Sequence, residues 1–272
     1  MPSRVTDVAA RSDRGLVREQ NEDRWLARTR AGTTLLAVAD GVGGEDGGEI
    51  AATAAIEALG ATFVSPSYRE SSRSSLSTAV QAANAAVLAA AKAAQLPNAA
   101  TTLVAAAIRG SHVVIANLGD SRAYVVRGTE ARQITTDHSG ATSSSITRFA
   151  GDRRGVQPDV FVETLQPGDR LVLCSDGLTR HVTDAEISVA VADQAAKAAD
   201  ALVALARSRG GQDNITVVVY RAGKPAVSRA LLGTLILALL ILVGIAGALG
   251  ALVTTPVPSP SPSGGPAPTV AP

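Results

Sequence analysis

Apolar residues along the chain gather into short, nearly unbroken runs separated by polar or glycine-rich breaks. Runs rich in Val, Ile, Leu and Ala occupy Thr33 to Ala39, Thr102 to Ile108, Val113 to Leu118, Ala123 to Val126, Arg170 to Cys174 and Ile215 to Tyr220. Their length and composition predict strands. Two longer segments predict helices, one from about Gly48 to Phe63 and one from about Ser74 to Gln95, the latter nearly all alanine and other good helix formers. A further helix pair, Asp184 to Asp193 and Lys197 to Arg209, precedes the last strand, with Thr183 placed to cap the first of them. Strands and helices are grouped rather than strictly alternating. That order argues for a layered α+β fold and against a parallel, doubly wound sheet.

One apolar run is of a different kind. From Ala230 to Val253 the chain holds 24 residues without a charge, ALLGTLILALLILVGIAGALGALV. A helix needs roughly 20 apolar residues to cross about 30 Å of hydrocarbon, so this segment is expected to span a membrane. Arg221, Lys224 and Arg229 precede it and no charge follows it, which orients residues 1 to 229 towards the cytoplasm. The tail 254–272, rich in Pro, Ser and Gly, cannot pack a core and is expected outside as an extended stub. Residues 223–229 then form a basic juxtamembrane linker behind a domain of residues 1–222.

Charge narrows the function. All 25 basic and 24 acidic residues lie before the span, without a basic block. This excludes nucleic acid as a partner and adhesion to anionic lipid; membrane lipid is met through the single helix. The one cysteine, Cys174, excludes an intramolecular disulfide framework.

The candidate chemistry lies where strands end. ADGVGGEDGGE, Ala39 to Glu49, stops an apolar run on Asp40 and follows it with five glycines and three more acids. Asp120 in NLGDSR, Asp176 in LCSDG and Asp213 in GGQDN repeat the theme, and Asn21-Glu22-Asp23 adds two acids. A single Asp-Gly is usually just a turn. Several acids at the ends of apolar strands are a less bland pattern. Such acids repel one another unless a cation lies between them, and hard divalent cations take carboxylate, carbonyl and water oxygens. Arg18, just upstream, carries a planar fork suited to phosphate.

The ordered strings SDRGLVREQNED, ADGVGG, TTLVAA, GDSRAY, QITTDHS, CSDGL and GGQDNITVVV resemble the bacterial protein phosphatase 2C family of metal-dependent serine/threonine phosphatases, over roughly Val5 to Tyr220. The resemblance implies a four-layer α/β/β/α sandwich, two antiparallel sheets flanked by helix pairs, here with one C-terminal transmembrane helix. It implies two Mn²⁺ or Mg²⁺ ions, bridged by Asp40, with the Gly41 carbonyl, Asp176 and Asp213 on the first ion. Glu22 and Asp23 serve the second, partly through waters. Asp120 matches the position of a third, weaker metal, and Arg18 the arginine that grips the substrate phosphate. The implied reaction is hydrolysis of phosphoserine and phosphothreonine on proteins by a water bridging the metals, without a phospho-enzyme.

Two departures stand out. Where some relatives carry a histidine two residues after the DG aspartate, this chain has Val42. The flap that many bacterial members insert after the DHS motif shrinks to Gly140–Ser145, which puts specificity and the role of Asp120 in question. His138 reads as structural, and Cys174 as a buried thiol beneath the site. The membrane anchor, by resemblance to actinobacterial membrane phosphatases, points to a membrane serine/threonine kinase and its substrates as partners. The rival reading is a catalytically weak phosphatase-fold regulator or phosphoprotein-binding module. A serine-hydrolase reading of Gly119-Asp120-Ser121 fails for want of a downstream D-x-x-H pair.

Overall fold

A computed structural model describes residues 7–42, 47–64, 73–140 and 146–223. The chain opens with β1 (Asp7–Asp13), β2 (Arg24–Arg30) and β3 (Thr33–Ala39), then the two-residue β4 (Gly41–Val42). Helices α1 (Gly47–Val64) and α2 (Arg73–Ala93) follow. Next come β5 (Ala100–Thr101), β6 (Leu103–Arg109), β7 (His112–Leu118), β8 (Arg122–Arg127) and β9 (Glu130–Gln133). After β10 (Asp159–Thr164) and β11 (Arg170–Cys174), the single turn α3 (Asp176–Thr179) and helices α4 (Asp184–Ala190) and α5 (Ala195–Ser208) lead to β12 (Ile215–Arg221).

The strands form two five-stranded antiparallel sheets, ordered β1-β12-β11-β8-β9 and β10-β7-β6-β3-β2, while β4 and β5 pair separately. Three apolar layers hold the stack together. Leu36, Val38, Val104, Leu171, Leu173 and Val218 pack between the sheets. Leu35, Ala37 and Leu103 turn the other way and meet Leu59, Leu76 and Val80 of α1 and α2. Val172, Val217 and Val219 likewise meet Ile187, Leu202 and Ala206 of α4 and α5. Alternate residues of one strand thus feed different layers, as the two-residue period of a strand requires. The result is an α+β sandwich of two antiparallel sheets covered by helices.

The predicted strands and helices appear with ends shifted by up to about three residues, within the usual fraying of element boundaries. Thr183 caps α4 as expected: Glu186 Oε2 accepts its N–H at 3.0 Å and its hydroxyl at 2.8 Å. Among the described residues no helix is long and apolar enough to cross a membrane. The segment 230–253, most of the linker before it and the tail lie outside the described residues.

Candidate metal centre

Strand register brings the acids to one edge of the sandwich. Ala39 lies opposite Arg24, so Asp23 and Asp40 leave β2 and β3 side by side. Val38 faces Val104 and Leu103 faces Leu118, which brings the end of β7, and Asp120 after it, to the same rim. In the other sheet Cys174 faces Val217, so Asp176 at the end of β11 meets Asp213 at the entry to β12.

Asp40 is held by its backbone. Its N–H donates to Thr102 Oγ1 at 3.1 Å, and its carbonyl accepts from the Thr102 N–H and the Thr101 hydroxyl, both at 2.9 Å. Thr102 in turn bonds Ser121 at 2.7 Å, next to Asp120. The glycines beside Asp40 permit a close backbone approach: a Cβ on Gly41 would lie 2.4 Å from the Gly48 carbonyl, and one on Gly48 would lie 2.7 Å from Glu22 Oε1. Glu22 therefore lies in space that Gly48 leaves free. Gly177, after Asp176, plays the same part, since a Cβ there would strike the Asn214 carbonyl at 1.9 Å.

The carboxylates interact strongly. Burial raises Asp176 above the usual carboxylate range, with Asp213 adding repulsion and Arg180 opposing the shift. Burial, with the charges of Asp23, Asp176, Asp213 and Asp120, pushes Asp40 well above the usual carboxylate range. Burial raises Asp23 to about 7 and Asp120 to about 6, with Asp176 adding repulsion to each. Two arginines answer these charges. Arg18 grips Asp213 with Nε and Nη2, each at 2.9 Å. Arg180 is bonded to Asp176 through Nε at 3.0 Å and through Nη2, and its Nη1 lies 3.6 Å from Asp213.

Among the described residues no three His, Cys, Asp or Glu side chains already close on one point as a metal cage. The chemistry of the set nevertheless fits a hard divalent cation. It is all oxygen, its acids repel, and buried Oδ1 atoms of Asp23 and Asp120 have no hydrogen-bond partner. Asp23 is turned furthest inward, accepting from Ser175 Oγ at 2.8 Å.

Several supports had no local signal in the sequence. Asn214 pins the loop that carries Arg18 and Glu22: its Nδ2 donates to the carbonyls of Arg14 at 3.0 Å and Gln20 at 2.8 Å, and its Oδ1 accepts the Glu22 N–H at 2.8 Å. Ser175 anchors Asp23, and Arg180, two residues beyond the CSDGL string, is a second guanidinium at the site. His138 is structural as expected. Its Nδ1 accepts the Gly119 N–H at 3.0 Å and its Nε2 meets Asp159 Oδ2 at 3.0 Å, which fixes the turn before Asp120. Cys174 is fully buried, and burial pushes its thiol up to about 12. Ser139 and Ile146 form an antiparallel bridge, and residues 141–145 of the expected short flap lie outside the described residues.

Protein phosphatases are among the known proteins similar to this chain. The family model for protein phosphatase 2C matches residues 16–213. The serine/threonine protein phosphatase PstP of Mycobacterium tuberculosis is 38% identical over 240 residues, covering 80% of this chain and 46% of that protein, so the chain spans about half the length of this relative. The serine/threonine phosphatase stp of Listeria innocua is 35% identical over 234 residues, covering 77% of this chain and 93% of that one. The crystal structure of the catalytic domain of PstP in complex with two manganese ions superposes with a TM-score of 0.72 at 36% identity, over 80% of this chain and 99% of the other. By sequence and by fold, this chain belongs to the protein phosphatase 2C family.

Proposed function

We propose that the chain is a metal-dependent protein serine/threonine phosphatase. The observation that carries this reading is the meeting of Asp40, Asp176 and Asp213 with Arg18 at one rim of the sandwich. On this reading Asp40, the Gly41 carbonyl, Asp176 and Asp213 hold the first of two Mn²⁺ or Mg²⁺ ions, Glu22 and Asp23 serve the second, and Asp120 takes a third. When bound, the ions supply an acidified water and neutralise charge on the phosphate. The residues do the rest. Arg18, half exposed at the rim, turns from Asp213 to the phosphate oxygens once a cation compensates that carboxylate. Thr101 and Thr102 keep Asp40 from shifting as substrate enters, and Asn214 keeps Arg18 in register with Asp213. Loss of the protons that burial holds on these carboxyls readies Asp40 and Asp176 for the ions.

The segment 230–253 anchors the domain to the cell membrane, with residues 1–229 on the cytoplasmic side, and a membrane serine/threonine kinase and its substrates are its partners. The support is the uncharged 24-residue run and the basic residues that precede it.

The test is turnover of p-nitrophenyl phosphate and a phosphothreonine peptide by the full chain in detergent, with Mn²⁺, with chelator, and with Asp40→Asn. Turnover that needs Mn²⁺ and is lost in the variant is expected. No turnover by folded, Mn²⁺-loaded protein transfers the weight to a phosphoprotein-binding regulator.

A further inference from the structure

Beside the acid cluster lies a cavity of about 610 Å³, lined in part by Val42, Pro97, Ala99, Ile146, Phe149 and Arg153. A second cavity of about 460 Å³ shares Pro97, Ala99 and Arg153 and extends the trough to Leu88 and Lys92 of α2. The first of these residues is two positions from Asp40, and the connection is more than proximity. β4 pairs with β5 through Gly41↔Thr101 and Val42↔Ala100. Thr101 also exchanges backbone hydrogen bonds with Ala150, at 3.0 and 2.8 Å, while its hydroxyl bonds the Asp40 carbonyl. The trough and the backbone of Asp40 are therefore one hydrogen-bonded platform.

The platform is preformed. Asn84, buried on α2, accepts the N–H groups of Gly151 at 2.7 Å and Asp152 at 3.0 Å and donates to the Asp152 carbonyl at 3.2 Å. Gly151 takes a φ of +107°, and a Cβ on it would lie 2.9 Å from the Ala99 carbonyl, so the two walls are locked close together. The lining is divided by chemistry. Val42, 39% exposed, with Ile146 and Phe149 gives an apolar end beside the acids. Arg153 and Lys92 form a basic end, exposed and without an ion-pair partner among the described residues, whereas neighbouring Arg154 is tied to Asp152 at 2.7 Å.

We infer that this trough is the docking site for the chain segment flanking the phosphorylated residue of a protein substrate. It takes an apolar side chain at the Val42–Ile146–Phe149 end and an acidic one at Arg153 and Lys92. The inference rests on the phosphatase reading, and it gives a nearly flapless enzyme a means of choosing its proteins. Continuity with Asp40 selects the substrate's own chain as the occupant, because a phosphate at the acids leaves its flanking residues over the platform. The uncompensated positive charge selects the acidic position.

The experiment compares kcat/KM of the full chain, Arg153→Glu and Ile146→Ser on three substrates. These are p-nitrophenyl phosphate, a phosphothreonine peptide with Leu and Glu in its flanks, and the same peptide with Ser at both positions. Each flank arrangement is made on either side of the phosphothreonine. Wild type is expected to prefer one Leu/Glu peptide over the Ser peptide. Arg153→Glu, an exposed change, should cut that preference about three- to fivefold through KM, leave p-nitrophenyl phosphate unchanged, and regain rate on a peptide with Lys in place of Glu. Equal preference in wild type and both variants overturns the inference. Should wild type fail to turn over p-nitrophenyl phosphate, the phosphatase reading fails and the trough is judged by fluorescence anisotropy with the labelled Leu/Glu peptide. Weaker binding by Arg153→Glu then supports the docking site, and unchanged binding overturns it.

Discussion

Removing divalent ions should leave this protein with a stability that falls as pH rises from about 5 to 7.5. Asp23 is the group to follow, because it is 2% exposed and, while Ser175 donates to its Oδ2, its buried Oδ1 has no hydrogen-bond partner among the described residues. Burial lifts it from the ordinary value of 3.8 to about 7. A carboxyl whose pKa is higher folded than unfolded binds its proton more tightly in the native state. Folding is then unpenalised below the unfolded pKa, loses ground as pH climbs between the two values, and bears the full penalty above the folded one. Linkage puts that penalty on the order of 4 kcal/mol for Asp23 alone. Asp40, Asp176 and Asp120 are shifted in the same direction and add to it. For a domain of this size 1 kcal/mol moves Tm by about 2–4 °C, and about 2.5 kcal/mol of the Asp23 penalty accrues inside the window, so the metal-free protein should lose roughly 5 °C or more across it.

Mn²⁺ should reverse the sign, since a cation competes with the protons for the same oxygens and binds the native state alone. Differential scanning calorimetry of the full chain, chelated and Mn²⁺-loaded, at steps from pH 5 to 8 reads both slopes. Asp23→Asn keeps the shape and an acceptor for Ser175 but cannot ionise, so it should flatten the metal-free slope and raise Tm at pH 7.5. A chelated Tm that is level or rises from pH 5 to 8 refutes the account of the acids as a buried cluster awaiting cations. Parallel slopes with and without Mn²⁺ refute their role as its ligands.

Three further outcomes follow from the same geometry. Arg18→Ala should raise KM for phosphopeptides by tenfold or more, with Arg18→Lys recovering only part of the loss because it lacks the fork that now grips both oxygens of Asp213; steady-state kinetics decide it. Asn214→Ala removes three hydrogen bonds to the Arg14–Glu22 loop, each worth about 1 kcal/mol, and should cost roughly 2–4 kcal/mol by urea denaturation while lowering turnover more than Tm alone explains. Cys174 should resist a thiol reagent such as dithionitrobenzoate in the native protein and react at once in 6 M guanidinium; prompt native labelling would contradict its burial.

What could be read from the sequence divides along a physical line. All six inner strands, β3, β6, β7, β8, β11 and β12, were legible, because a strand covered on both faces must be apolar almost throughout. The four edge strands β1, β2, β9 and β10 were not. They carry Arg11, Arg24, Arg28, Glu130 and Glu163, their outer faces meet solvent, and such polar edges guard a sheet against pairing with another chain. Within the site the acids were legible because a carboxylate at the end of a greasy run, followed by glycine, is conspicuous in one dimension. Their supports were not. Ser175 holds Asp23 across 152 positions and Asn214 holds Arg14 across 200, so neither leaves a local pattern. Even the glycines were only half explained by the turn they allow. Gly41 is small because Gly48 passes 2.4 Å from where its Cβ would be, and Gly48 is small because Glu22 needs the room. Restoring one methyl at Gly48 would therefore push on Glu22 and on the backbone of Gly41 together, and the carbonyl assigned to the metal would move with them.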